Sequence, residues 1–273
     1  MNLLLSAALV LAAVAGAVAL FLLVRRRAPA GGFFTNGDRA AGVFGVLATG
    51  FSVLLGFVVF LAFTSYDTAR SGARDEATDV IQQFETAQLL PPGAAPTLGG
   101  QLVCYGRAVI ALEWPELEAG RTPSFNPWGV PLFKTIRAVE PRTASEQAAY
   151  SKWLDQTSDR EQSRLDRVHA SDGVVPGPLW IILLVSAGLV SLYTLFFADR
   201  DEGPVPQALL AATIAAMLTT SLLVINFLNN PYHPGFGSLK PTDMERVLGQ
   251  IDQASRALHL RVRIPCDSDG RPR

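Results

Sequence analysis

Four long stretches of the sequence carry no charged side chain, and this pattern constrains the fold more than any other feature. A helix of about 20 apolar residues crosses a hydrocarbon core of roughly 30 Å, and each stretch is at least that long. A soluble protein can bury one such helix, but four of them with their charges confined to the flanks predict membrane spans. The stretches cover residues 2–24, 40–66, 174–198 and 204–228.

Composition agrees with this interpretation. Hydrophobic residues make up 49% of the chain and charged residues only 17%, which is too apolar for an ordinary soluble fold. The formal net charge is -1, and the only basic run is Arg25, Arg26 and Arg27. Because nucleic-acid binding needs an extended basic surface, the sequence predicts no nucleic-acid partner.

The first stretch is predicted to be an uncleaved anchor. A cleavable signal peptide begins with basic residues, whereas here Arg25, Arg26 and Arg27 follow the apolar stretch. Few lysines and abundant Ala, Gly, Pro and Arg indicate a GC-rich bacterial genome. We therefore expect a multi-pass protein of the bacterial cytoplasmic (inner) membrane.

Basic residues near the span ends predict the orientation, since Lys and Arg in short loops favour the cytoplasm. The two short loops carry Arg25, Arg26, Arg27, Arg39 and Arg200. Both are predicted to be cytoplasmic, so that the N-terminus, the soluble region and the C-terminal tail lie outside. The alternative is the reverse topology.

The predicted fold is an all-α integral membrane protein with four transmembrane helices, a helical soluble region between spans two and three, and a C-terminal amphipathic helix. Its predicted divisions are a first helix pair with a basic short loop, the soluble region, a second helix pair, and a tail that packs on the soluble region. In chain order they are 1–66, 67–173, 174–228 and 229–273.

Within the soluble region, helical spacing of apolar residues predicts that the second span continues outward until Pro91 and Pro92. A second helix is expected over 97–114, ending before Pro115, and 120–131 is predicted to be a loop. A capping box made by Thr143 and Glu146 predicts the start of a third helix. These predictions rest on residues 91–92 for the end of the first helix, 97–114 for the second helix, 120–131 for the loop and 143–146 for the start of the third helix.

The tail shows a similar pattern. Thr242 and Glu245 are spaced as a capping box before an amphipathic helix, and alternation over 260–264 predicts an edge strand. The apolar face of that helix needs a partner, for which the soluble region is the candidate. This face consists of Met244, Val247, Leu248, Ile251 and Leu258.

The two cysteines lie in these two parts of the chain. Cys104 is in the soluble region and Cys266 in the tail. Outside the cytoplasm paired thiols tend to oxidise, which predicts a disulfide between them. The alternative is two unrelated buried thiols.

Four patches, in this order around the spans, resemble the bestrophin-like domain-of-unknown-function family of bacterial membrane proteins. They are LLGFVVFLAFTSYDTARSGARDEATDV, CYGRAVIALEWPEL, RLDRVHASDGVVPGPLW and LNNPYHPGFGSLKP. The resemblance implies a comparison with bestrophin anion channels, and a bestrophin places its soluble part in the cytoplasm. The family-motif residues are Glu76, Glu113, Trp114, Pro115, Pro178, Trp180 and Pro231.

No motif for catalysis stands out. His169, His233 and His259 lack metal-ligand spacing, and there is no phosphate-binding loop or nucleophile elbow. Glu113 before Pro115 is read as a packing or capping residue in preference to a functional carboxylate. We therefore predict no catalytic residue, no metal site, no cofactor and no enzyme.

Polar side chains inside the spans are the remaining candidates for function, because such groups usually face the protein interior or a water-filled path. Thr219, Asn226 and Asn230 are predicted to share one face of the fourth span, where they line a pore or mediate packing. Two functions follow. One is a bestrophin-like ion channel or permeation protein, for which a homo-oligomer is one possible assembly. The other is a non-catalytic membrane scaffold or envelope sensor whose extracytoplasmic helical region binds a partner or reports on envelope state; the ion or protein partner is unknown.

Overall fold

The computed structural model describes residues 3–273, and within them the regular elements are helices. Asn2, where the first uncharged stretch begins, lies outside this range. The α-helices are α1 (Leu3–Arg27), α2 (Gly37–Ala87), α3 (Ala95–Ala108), α4 (Trp114–Glu118), α5 (Gly129–Arg137), α6 (Ala144–His169), α7 (Gly177–Leu195), α8 (Pro204–Leu228) and α9 (Thr242–Ala257). A π-helical turn (Val109–Glu113) joins α3 to α4, and a 3₁₀ turn (Ala170–Asp172) follows α6.

The chain divides into two compact units, and α2 supplies residues to both. The membrane unit comprises the residues up to Ser65 together with Gly173–Asn229 and Pro234–Phe236. The helical unit comprises Tyr66–Asp172, Asn230–His233 and Gly237–Arg273. Of the described helices, α1, α2, α7 and α8 are long and apolar enough to cross a membrane, which confirms the predicted all-α protein with four spans.

In the membrane unit, α1 packs beside α8. Phe21 and Ala28 are buried with Ala198 and Ala211 in one apolar cluster. At the end of α1, the Arg25 guanidinium donates to the carbonyl oxygens of Arg200 (3.1 Å) and of Glu202. The two short basic loops are therefore in direct contact with each other, as expected if both lie on one side of the membrane.

Aromatic side chains cluster around the start of α2 and the end of α7. The ring of Tyr193 stacks on those of Phe34 and Phe44, with centroid distances of 5.7 Å in both cases. The Tyr193 hydroxyl donates to the Ala40 carbonyl at 3.3 Å. Aromatic belts of this kind are enriched at membrane–water interfaces, where one part of the ring is apolar and one part is wet.

The entry to α7 is held by the residue that follows α8. Asn229 Oδ1 accepts hydrogen bonds from the backbone N–H groups of Val174 (2.9 Å) and Val175 (2.8 Å). Gly173 adopts a left-handed conformation with φ of +71°, and a Cβ there would lie 2.8 Å from Asn229 Nδ2. Glycine is required here both by the backbone angle and by the close approach.

The helical unit is built around the apolar faces of α2, α3, α5, α6 and α9. Leu98 and Leu102 on α3 are fully buried with Val80 and Phe84 of α2 and Trp153 of α6. These positions recur at helical spacing, so that each helix contributes one apolar stripe to a single core.

The capping box at the start of α6 is confirmed. Thr143 Oγ1 accepts from the Glu146 backbone N–H at 3.1 Å, and Glu146 Oε2 accepts from the Thr143 backbone N–H at 3.1 Å. The equivalent prediction for the tail is wrong, because α9 begins after Pro241 and has no side-chain cap. Thr242 is the first residue of the helix itself, one position too late to cap it.

Three further predictions of local structure are wrong. The helix does not end before Pro115 but continues to Glu118, because the π-helical turn shifts the hydrogen bonding just before the proline, where no N–H is available. The predicted loop over 120–131 is shorter, since α5 begins at Gly129. Residues 260–264 form no strand, since their pairing is limited to isolated bonds such as Arg263 N–H to the Pro96 carbonyl at 2.9 Å.

The tail packs against α3. Met244, Val247 and Ile251 of α9 are buried, whereas Leu258 is 66% exposed and does not belong to the predicted apolar face. A disulfide joins Cys104 of α3 to Cys266. Beyond it, the Gly270 carbonyl accepts a hydrogen bond of 2.6 Å from the indole N–H of Trp128. The last turns of the chain are therefore fixed on the helical unit by covalent and polar contacts.

Candidate functional site

One face of α6 carries three arginines into the interior of the helical unit. Trp153, Gln156, Arg160, Arg164 and Arg167 follow one another at three- and four-residue steps and are all buried. Charged side chains are almost never fully buried unless they are paired. The partners of these arginines therefore define the most unusual site in the helical unit.

Glu76 of α2 binds the innermost arginine. Glu76 and Arg167 side chains are both 0% exposed and form a bidentate ion pair, with Arg167 Nη2 3.0 Å from Glu76 Oε1. The same carboxylate oxygen accepts a hydrogen bond of 2.7 Å from the Tyr105 hydroxyl. Burial and the neighbouring Glu76 carboxylate raise the pKa of Tyr105 well above its ordinary value, so the phenol stays protonated and donates.

Glu113, at the end of the π-helical turn, bridges two arginines. Its carboxylate accepts from Arg167 Nη2 at 2.8 Å, from Arg164 Nε at 3.2 Å and from Asn126 Nδ2 at 2.9 Å. Burial by itself would raise the pKa of Glu113. The two guanidinium groups more than offset that effect, so the pKa lies below its ordinary value and the carboxylate is ionised at neutral pH.

Arg160 completes what we call the buried ion network, which consists of Glu76, Glu113, Arg160, Arg164 and Arg167. Its Nη1 donates to Gln83 at 2.6 Å and its Nη2 to the half-exposed Glu161 at 3.0 Å. Its guanidinium carbon lies 4.6 Å from the centre of the Tyr105 ring, a cation–π distance.

Two aromatic side chains close the network on another side. The Tyr232 hydroxyl donates to the Arg167 carbonyl at 2.6 Å, and burial raises the pKa of this phenol. The rings of Tyr232 and Trp114 meet edge to face with centroids 5.5 Å apart. Trp114 also lies 5.6 Å from the Arg167 guanidinium. The segment after α8 is thereby held on the middle of the chain.

The buried ion network thus holds two guanidinium groups against two carboxylates, while the third guanidinium, that of Arg160, lies over the Tyr105 ring. Buried ion pairs contribute little net stability but are costly to break, so such a network fixes one arrangement of α2, α6 and the π-helical turn. No group of three or more His, Cys, Asp or Glu within residues 3–273 is placed to hold a metal ion.

The structure brings some of the family-motif residues together and leaves others apart. Glu76, Glu113 and Trp114 meet around Arg167, whereas Pro115 is exposed on α4. Pro231 is buried in the turn that precedes Tyr232. The remaining two belong to the membrane unit, as Pro178 and Trp180 in the first turn of α7.

In the membrane unit, one face of α2 is small and polar. Thr49 and Ser52 are exposed, and glycines flank them at positions where an added Cβ would meet nothing within 4 Å. A second face of α2, about 120° around the helix, carries apolar side chains that are buried. The small face comprises Gly42, Gly45, Thr49, Ser52 and Gly56, and the buried face comprises Phe51, Leu55, Val58 and Ala62.

Two of the three polar residues predicted for one face of the fourth span lie on α8. Thr219 is half-buried and Asn226 is exposed, and both belong to α8. Asn230 lies two residues beyond the end of that helix at Leu228, and the role of the three residues in lining a pore or in packing stays a prediction.

Reasoning from sequence missed the arginines of α6, although Arg164 and Arg167 stand inside one of the four motif patches. The available signal was their spacing, since Trp153, Arg160, Arg164 and Arg167 share one helical face. An arginine stripe in line with a tryptophan indicates a buried polar face, but it reveals neither carboxylate partner.

A family model for the bestrophin-like domain matches residues 11–242 of this chain. The chain belongs to the bestrophin-like family. Solved structures support the same fold. A variant of a bacterial bestrophin homologue from Klebsiella pneumoniae is 11% identical, with a TM-score of 0.62 over 89% of this chain and 98% of the other.

Another crystal structure of a Klebsiella pneumoniae bestrophin homologue gives a TM-score of 0.59 at 11% identity, covering 92% of this bestrophin-like chain and 99% of the other. A crystal structure described as a membrane protein gives 0.63 at 11% identity over 89% and 98%. No curated protein has a sequence that matches this chain significantly. At this level of identity the likeness concerns the fold.

Proposed function

We propose that this bestrophin-like chain is a subunit of a homo-oligomeric ion channel in which the small, polar face of α2 lines or borders the permeation path. The observation that carries the proposal is that face itself, with exposed Thr49 and Ser52 in the middle of an otherwise apolar span. Polar side chains within a membrane usually face a protein interior or a water-filled cavity.

The buried face of α2 already packs within the chain, whereas the small face is exposed. Glycines at span interfaces allow helices to approach closely, which suits contact between copies of the chain. Fold alone does not establish function, and the comparison with bacterial bestrophin homologues supports the proposal only by supplying a channel precedent. Thr219 and Asn226 of α8, with Asn230 after it, are the second set of candidate lining residues.

Cysteine modification tests the proposal directly. In the described chain both native cysteines form the disulfide, so Ser52→Cys introduces a thiol that a charged methanethiosulfonate reagent modifies selectively. The expected result is an ion conductance in reconstituted bilayers that falls several-fold on modification. Leu47→Cys is the matched control, because it lies five residues earlier and about 140° around the helix.

Modification of Leu47→Cys should leave the conductance unchanged. Purified, folded protein that conducts no ion in bilayers would contradict the channel proposal. Equal inhibition through both introduced thiols would remove α2's small face as the lining, because the two positions point about 140° apart.

We also propose that the helical unit lies on the extracytoplasmic side of the inner membrane. Two observations support this orientation. The disulfide between Cys104 and Cys266 is typical of oxidising compartments, and the two basic loops contact each other through Arg25. Labelling of intact cells with a membrane-impermeant maleimide should occur only after reduction. Labelling that requires permeabilisation even after reduction would reverse the topology.

A second candidate, a membrane sensor that binds a ligand through its helical unit, is favoured by one specific observation. The helical unit contains a cavity between α5 and α6, walled partly by the buried ion network.

A further inference from the structure

A cavity of about 340 Å³ lies between α5 and α6 and is lined partly by the loop before α5. Its volume is within the range of pockets that hold small organic ligands, roughly 300 to 1,000 Å³. Most of its wall is apolar, and it includes Val130, Phe133, Ile136, Trp153 and Leu154. We call it the α5–α6 cavity.

Several large apolar side chains at this cavity are exposed. Phe125 is 67% exposed, Phe133 is 59% and Val130 is 56%, although each lines the same concave surface. Single exposed apolar residues are ordinary, but a set that lines one cavity marks a site where apolar matter binds.

The polar residues that line the α5–α6 cavity include Arg160 and Arg164. Arg164 is 6% exposed, and its Nε donates to Glu113, but its Nη2 has no hydrogen-bond partner among residues 3–273. The Nε of Arg160, a residue 1% exposed, is likewise without a partner there. Donors of a buried charged group are costly to leave unsatisfied.

The charge balance of the buried ion network also leaves positive charge unmatched. Three guanidinium groups and two carboxylates are buried. Only Arg164 and Arg167 pair with the carboxylates, and Glu113 already accepts from Arg164, Arg167 and Asn126. Glu161 also lines the cavity and pairs with Arg160, but its side chain is 47% exposed and is screened by water. The interior therefore retains an excess of one positive charge at the end where Arg160 and Arg164 lie, because Arg160 has no buried carboxylate partner in the described residues.

We propose that the α5–α6 cavity binds a small organic monocarboxylate, with its carboxylate on Arg164 and its apolar body between α5 and α6. A guanidinium fork matches the geometry of a carboxylate, and one negative charge balances the excess. The apolar wall selects against a bare inorganic anion, since such an ion would leave that wall without a partner. This site is independent of the ion path proposed for α2.

Isothermal titration of the full chain in detergent with phenylbutyrate tests the proposal. We expect saturable binding to the wild type, and binding by phenylbutanol at least about tenfold weaker, because the alcohol has the same body without the charge. Sodium chloride at the same concentration should not compete. Partition of phenylbutyrate into micelles is the same for every protein variant, so it cancels when the variants are compared with the wild type.

Two substitutions locate the site. Arg164→Gln should weaken binding at least about tenfold, whereas Arg137→Gln on the exposed side of α5 should not change it. Because Arg164→Gln also removes a partner of Glu113, Phe133→Ala provides a variant at an exposed position that leaves the core intact. It should weaken binding several-fold, and Leu89→Ala, also exposed, should have no effect.

Three results would overturn the proposal. They are absence of saturable phenylbutyrate binding by the folded wild type, equal binding of phenylbutanol, and displacement by chloride at equal concentration. If Phe133→Ala binds phenylbutyrate with unchanged affinity, the ligand does not occupy the α5–α6 cavity. This result holds whether or not Arg164→Gln folds. None of these binding experiments measures ion conductance, so the channel proposal is tested separately.

Discussion

Removing the charge of Glu76 tests whether the buried ion network holds the helical unit together. The substitution Glu76→Gln keeps the shape of the side chain but turns one acceptor oxygen into an NH₂ group. That group would face the Nε or Nη2 donors of Arg167, both of which now donate to the carboxylate. Arg167 would remain 0% exposed with its charge uncompensated at this position.

Breaking a buried ion pair by removing one partner costs about 3 to 5 kcal/mol. The loss in Glu76→Gln should reach that range, because Tyr105 also donates to the same carboxylate and loses a charged acceptor. At about 2 to 4 °C per kcal/mol for a domain of about 150 to 250 residues, the melting temperature should fall by roughly 6 to 20 °C.

The assay is urea and thermal unfolding of the detergent-solubilised protein, followed by tryptophan fluorescence, because Trp114 and Trp153 are buried in the helical unit. Glu116→Gln is the matched control. It makes the same chemical change in the Glu116–Arg121 pair, whose side chains are 43% and 62% exposed, where water screens the charges. If both substitutions lower the melting temperature equally, burial does not make the network important for stability.

Three further outcomes are expected of the helical unit. Cys104→Ser should lower the free energy of unfolding by about 2 to 4 kcal/mol, as measured by urea titration, and dithiothreitol should then have no further effect. Gly100→Ala should cost about 3 kcal/mol or more, because the new Cβ would lie within 3 Å of the Arg263 backbone; Gly93→Ala, where a Cβ meets nothing within 4 Å, should change stability by less than about 0.5 kcal/mol. Since the folded pKa of Glu113 is depressed, its stabilisation is full above its ordinary pKa of 4.5 and is lost as pH falls through the lower folded value. The melting temperatures of wild type and Glu113→Gln should therefore converge as the pH falls below 4.5, and a difference that stays unchanged on acidification would refute this assignment.

Local signals in the sequence predicted some elements well and others poorly. The fourth span was predicted at 204–228 and is α8, Pro204–Leu228. The start of α6 was predicted because its capping box involves residues three positions apart. The helix α5 was missed, since its Gly and Pro content resembles a loop and its burial depends on distant partners of Leu132 and Ile136.

Proline and turn signals misled where tertiary contacts decided the outcome. A proline usually ends a helix because it has no N–H to donate. Before Pro115, the π-helical turn shifts the backbone hydrogen bonds so that no N–H is needed at this position. The alternation over 260–264 suggested a strand, yet no neighbouring strand exists among residues 3–273 with which it could pair. Thr242 and Glu245 had the right spacing for a cap, but the helix begins one residue too early for them to act.

The sequence by itself determined the four spans, because crossing a membrane requires only a long apolar stretch with intrahelical hydrogen bonds, and both are local properties. It also determined the helical character of the soluble region through periodicity and capping. Only the tertiary structure decided which carboxylates meet the α6 arginines, as Glu76 and Arg167 are 91 residues apart. Likewise, the α5–α6 cavity and its unpartnered Arg164 donor exist only once the helices have packed, because burial and charge compensation are tertiary properties.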